Sequence, residues 1–93
     1  MRRGRRVTSP HLVLHYITRS ECSTPRAGFV VGKVVGNSVV RHRVIRQLRH
    51  IVRDVVQEFA PGTEIVVRGL AGADAADLRA ELTELLKRAS IHG

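Results

Sequence analysis

Gly32-Lys33-Val34-Val35-Gly36-Asn37-Ser38-Val39-Val40-Arg41-His42-Arg43-Val44-Ile45-Arg46-Gln47-Leu48-Arg49-His50-Ile51-Val52-Arg53 reads as a glycine-containing turn feeding a strongly basic amphipathic helix. Gly36 suits a turn that side chains disfavour. Asn37 or Ser38 is a natural N-cap, because a short polar side chain accepts from the first free backbone N–H groups. Beyond it Val40, Val44, Leu48, Ile51, Val55 and Phe59 fall at helical spacing. They form one apolar stripe, widened by Ile45, Val52 and Val56. Turn and helix together span residues 33–59, and Ala60-Pro61-Gly62 stops them.

The opposite side of this helix carries His42, Arg46, Arg49 and Arg53, flanked by Arg43 and His50. Arg41 lies beside the apolar stripe, so its head must leave past the N-terminal end. Helix stability does not explain this face. Like charges three or four residues apart repel by a few tenths of a kcal/mol each. Arg41 and Arg43 stand where the helix dipole disfavours cations. The acids within reach, Asp54 and Glu58, come late. An external polyanion reverses each penalty, since a phosphate at the helix start meets free N–H groups and arginines together. A merely solvated charged face is the plainer alternative, and it fits a one-signed, arginine-rich surface less well.

The same residues resemble the signature of the bacterial ribonuclease P protein subunit. That family has a Lys, a Val-Gly-Asn-Ala turn, then Arg-Asn-Arg and further basic residues. Lys33, Val35-Gly36-Asn37-Ser38, Arg41, Arg43, Arg46 and Arg49 match, as does the lead-in Gly28-Phe29-Val30-Val31. Val34, His42, Ile45 and His50 depart from the pattern; His42 replaces the central Asn, and an imidazole can still donate or stack. The resemblance runs from Gly4 to the last helix. It implies a protein that binds a catalytic RNA subunit, with Lys33, Arg41, His42, Arg43, Arg46, Arg49 and Arg53 on the RNA. It implies a central cleft for the 5′ leader of precursor tRNA, with His15 where the family has an aromatic and with Val13 and Ile17 on the same strand face. It implies that the RNA subunit, using Mg2+, does the hydrolysis, that this protein holds no cofactor of its own, and that no protein partner is required. Family members begin with a further helix whose Phe residues line the cleft. Met1 falls where one of those aromatics would stand, so the resemblance leads us to expect that helix to be lacking here.

Ninety-three residues make a single domain. A formal charge of +8 and a pI near 11.5 point to a polyanionic partner. The charge is segregated: residues 1–53 hold twelve Lys and Arg against one acid, and residues 54–93 hold four against seven. The first half is therefore expected to make the contacts and the second half to complete the fold. Cys22, the single cysteine, fits a reducing, cytoplasmic setting. No apolar run reaches the length of a membrane span.

Met1–Arg6 is a basic arm, either a loose tail or a phosphate-contacting segment. Val7–Ser9 suggests a short strand stopped by Pro10. Leu12–Thr18 alternates, with Leu12, Leu14 and Tyr16 on one face and Val13, His15 and Ile17 on the other. Arg26–Val31 is a second strand, expected to pair with it in antiparallel fashion. Glu64–Arg68 is a third major strand. Asp74 is expected to cap a last helix with Leu78, Leu82, Leu85 and Leu86 inward, with Asp77, Glu81 and Glu84 largely outward and with Glu84 pairing to Arg88. The order βββαβα predicts a two-layer α/β (α+β) sandwich with one sheet face left for a ligand. The resemblance implies the same fold, the ribosomal protein S5 domain 2-like arrangement with a left-handed βαβ crossover.

Catalytic sets are missing from the sequence. His11 and His15 need not converge on a strand, and His42 and His50 stand among arginines that repel a cation. The acids of the last helix do not resemble a general acid/base pair. This chain is not expected to cut RNA unaided. The alternative reading is a non-enzymatic RNA-binding protein such as a ribosomal protein. A DNA-binding recognition helix fits less well, because a strand rather than a second helix precedes the basic helix.

Overall fold

The computed structural model describes residues 4–19 and 24–89. The chain runs β1 (Arg5–Thr8), β2 (Leu12–Thr18), β3 (Arg26–Val31), α1 (Ser38–Val55), β4 (Thr63–Gly69) and α2 (Leu78–Ala89). Single 3-10 turns, Val56–Glu58 and Ala73–Ala75, follow α1 and precede α2. The strands form one mixed sheet in the order β1-β2-β4-β3, and both helices cover the same face. This is the expected βββαβα two-layer α+β architecture.

Strand alternation builds the inner face. Leu12 and Leu14 of β2 and Ile65 and Val67 of β4 point to the helices and are buried. Val44, Leu48, Ile51 and Val52 of α1 meet them from above, as do Leu78, Leu82, Leu85 and Leu86 of α2. Phe59 closes one end of this core. The apolar stripe of the basic helix is therefore its core side, although Ile45 stays half-exposed.

Four expectations need correction. β2 and β3 are not neighbours: β4 inserts between them, antiparallel to β2 and parallel to β3. Arg5 and Arg6 belong to no arm, because they open β1 opposite Tyr16 and His15; Met1–Arg3 lie outside the described residues. The basic helix does not span 33–59. Residues 33–37 are turn, α1 ends at Val55, and the chain tightens to a 3-10 turn before Phe59. Asp74 sits in the second 3-10 turn, whereas Asp77 caps α2 by accepting from the Ala80 N–H at 3.1 Å. An Asp three residues nearer the first inward leucine satisfies the helix start; Asp74 is too early.

The entry to α1 is fixed by three residues. Val35 is buried against the sheet, which turns Lys33 and Val34 outward. A Cβ on Gly36 would stand 2.8 Å from Val40 Cγ1, closer than such atoms pack. Asn37 is the N-cap, its Oδ1 accepting from the Val40 N–H at 3.0 Å. Asn37→Ala is expected to lower stability by about 1 kcal/mol. A thermal melt of the variant checks this, and an unchanged midpoint would mean that Val35 holds the turn alone.

Candidate nucleic-acid interface

Two basic surfaces lie on different sides of the domain. The first is the outer face of α1. His42, Arg43, Arg46, Arg49, His50 and Arg53 are all exposed there, with Lys33 exposed on the preceding turn. The first turn of α1 holds no acid. Asp54 turns away to Arg79 of α2, at 3.3 Å. Among the described residues no carboxylate pairs with Arg41, Arg43 or Arg46. The guanidinium of Arg49 lies 5.9 Å from the centre of the Phe29 ring, a cation–π contact that ties the helix to β3. Phe29 is half-buried, part of the core's margin rather than a stacking platform. Arg41 is half-buried, and its Nε is buried without a hydrogen-bond partner. Such an unpaired donor is uncommon in a folded chain.

The second surface is the sheet face away from the helices. Residues opposite one another in register share a face. That places Thr8, Val13, Arg68 and Val30 in one row across the sheet, and Arg6, His15, Val66 and Gly28 in the next. Ile17, Glu64 and Arg26 make a third. The floor is apolar: Val30 and Val66 are 45% and 39% exposed. An open concavity of about 480 Å3 covers one end, lined by Arg5, Arg6, His15, Tyr16, Ile17, Glu64 and Val66. His15 and Ile17 line it as neighbours; Val13 shares their face but lies outside the concavity.

A polar cluster holds β1 in place at its far end, the β1–β2 corner. Glu81 of α2 was expected outward, yet it turns into the β1–β2 corner. Its Oε1 accepts from Ser9 Oγ at 2.5 Å and from the His11 N–H at 3.0 Å. Its Oε2 faces His11 Nδ1 at 2.7 Å. Burial pushes the Glu81 carboxyl up, but these hydrogen bonds and the nearby imidazole outweigh it and hold the group below its ordinary value. Arg88, seven residues on, donates to the Thr8 carbonyl at 2.9 Å rather than pairing with Glu84. Among the described residues no three His, Cys, Asp or Glu side chains converge as metal ligands. None of their helices is long and apolar enough to cross a membrane.

A family model for ribonuclease P matches residues 1–90. The chain is 46% identical to the ribonuclease P protein component of Streptomyces griseus, covering 95% of this chain and 80% of that one. It is 47% identical to the component from Mycobacterium sp. strain KMS, covering 94% and 77%. The chain belongs to the ribonuclease P protein family. Solved structures agree with the fold. The ribonuclease P protein of Staphylococcus aureus superposes with a TM-score of 0.87 at 22% identity, over 97% of this chain and 84% of that one. The Thermotoga maritima ribonuclease P protein, in complex with 1-(4-fluorophenyl)-2-thiourea, gives 0.79 at 25% identity, over 91% and 85%. As a ribonuclease P protein the chain is the protein component of an endoribonuclease of tRNA 5′ processing.

Within the ribonuclease P fold, the residues singled out in the sequence fall into two sets. His42, Arg43, Arg46, Arg49 and Arg53 share the exposed side of α1, Lys33 is exposed on the turn before it, and Arg41 is half-buried in the first turn. Val13, His15 and Ile17 share the outer sheet face. Sequence reasoning missed Arg26, Val66 and Arg68 on that face, and offered Arg6 only as part of a loose or phosphate-contacting arm. The apolar run Ile65-Val66-Val67 before Arg68 marked a strand, but strand order was needed to set Val66 and Arg68 beside His15 and Val13.

Proposed function

We propose that this protein docks on the catalytic RNA of ribonuclease P through the basic side of α1 and the turn bearing Lys33. The outer sheet face, with Val13, His15 and Ile17, then holds the 5′ leader of precursor tRNA. The observation that carries the docking reading is the one-signed helix face, whose exposed arginines have no acidic partner among the described residues. Its charges repel one another in the free protein and are relieved only by an external polyanion. The Arg41 Nε supplies a further donor waiting for an acceptor. The leader reading is supported by an apolar floor wide enough for bases and rimmed by arginines for phosphates. Hydrolysis is the work of the RNA subunit with its Mg2+. The protein's part is to bind, to orient and to screen repulsion between catalyst and substrate phosphates. A cytoplasmic location follows from that role.

The expected result is that the protein lowers the magnesium concentration at which the RNA subunit cleaves precursor tRNA at the mature 5′ end. Protein freed rigorously of RNA should leave precursor intact. Cleavage by the RNA-free chain, or no shift in magnesium requirement, would overturn the reading. A ribosomal-type RNA binder would give neither effect nor any preference for precursor over mature tRNA.

A further inference from the structure

The outer sheet face carries three exposed arginines, Arg6, Arg26 and Arg68, one in each of its three rows. Among the described residues none of them makes an ion pair. The acid on this face, Glu64, is held by Arg19, whose Nε lies 3.1 Å from Oε2. The field over the floor is therefore positive and uncompensated. Ring groups, by contrast, are scarce. His15 is the ring centred on the face, and Tyr16 reaches the concavity from the inner row while packing against the core.

We infer that Arg68 and Arg6 bind phosphates of the single-stranded leader, so that this protein holds the leader mainly through its backbone and with little regard to base sequence. The inference rests on the proposed leader reading and adds the residues and the mode of recognition. Arg68 is set on the central strand β4 and Arg6 on the edge strand β1, two strands away and one row along. At about 4.8 Å per strand and 3.4 Å per residue, their Cα atoms stand roughly 12 Å apart across the floor. Arginines at that separation reach different phosphates of an extended strand, with Val13 and His15 of β2 between them. A guanidinium reads phosphate without base identity.

The test uses the holoenzyme reconstituted with full-length protein. Affinities for precursor and for mature tRNA are measured from low to high monovalent salt, and their ratio isolates the leader. For the unaltered protein the ratio should fall with salt. Arg68→Gln and Arg6→Gln should each flatten the log–log slope by about 0.7, the single-strand value for one phosphate. Arg68→Lys should restore it. Leaders rich in different bases should lose affinity equally. Thermal melts confirm folding of each variant, which exposed surface positions allow. A precursor preference that is salt-independent, or unmoved in both variants, overturns this inference and leaves the leader site standing. Base-dependent losses also overturn it. No precursor preference in the unaltered holoenzyme would sink the leader reading itself.

Discussion

Arg46→Ala combined with Arg49→Ala is expected to weaken binding to the catalytic RNA by about a hundredfold or more. A hydrogen bond to a charged partner contributes roughly 1.5–3 kcal/mol, and about 1.4 kcal/mol is a factor of ten. Both side chains are exposed on the same side of α1, and neither supports the core. The fold should survive, with a loss of at most about 1 kcal/mol from the cation–π contact of Arg49 with Phe29. The log–log salt slope of RNA binding should also flatten by roughly 1.4–1.8, as two phosphates go uncontacted. Arg79→Ala is the matching control: exposed, cationic, but on α2 and paired to Asp54. It should leave affinity nearly unchanged, because an exposed pair contributes only about 0–1 kcal/mol. Affinity within threefold of the unaltered protein, with native circular dichroism, would rule out the helix face as the anchor.

The elements of this fold were legible because they are local. Helical periodicity marks α1 and α2, alternation marks β2, a short apolar run marks β4, and the Asn37-Ser38 pair announces the cap of α1. The arrangement was less legible because it is not local. Nothing in Arg26–Val31 says that its neighbour is β4, 38 residues on in register (Arg26 opposite Glu64), rather than β2. Both strands are short and apolar, and either pairing satisfies their backbone groups. With the wrong neighbour assumed, Arg68 seemed part of a fold-completing second half, when it lies in the middle of the outer face. Charge segregation along the chain thus misstates the charge in space. The basic face of α1 was readable from helix arithmetic alone, whereas the sheet face required register. Glu81 failed for a related reason. On the α2 wheel it flanks the inward leucines, and only the position of the β1–β2 corner decides whether that flank faces solvent or protein.

Glu81→Ala is expected to destabilise the domain by about 3 kcal/mol near neutral pH. The carboxylate is a shared acceptor for the Ser9 hydroxyl, the His11 N–H and the His11 ring, with its side chain 16% exposed. Its removal leaves three donors short of a partner, each at roughly 1 kcal/mol where water reaches only in part. For a chain of this size that corresponds to roughly 12–24 °C in melting temperature. The pH dependence gives the mechanism away. Glu81's carboxyl is held below its ordinary value of 4.5, so its contribution is present above that value and is lost as pH falls through the lower, folded value. The gap between the unaltered protein and Glu81→Ala should therefore be full at pH 7 and shrink in acid. Glu81→Gln keeps an acceptor for Ser9 and the His11 N–H and should lose only part of the stability, without the acid dependence. Function should follow the strand that Glu81 secures. Loosening the β1–β2 corner displaces β1, and with it Arg5 and Arg6 at the concavity, whereas α1 is anchored elsewhere. Below its melting temperature the variant should lose precursor preference by a larger factor than affinity for the catalytic RNA. A gap under 0.5 kcal/mol, or one that stays constant from pH 7 to pH 3, would show that the Arg88–Thr8 bond and the leucines of α2 hold the corner without Glu81.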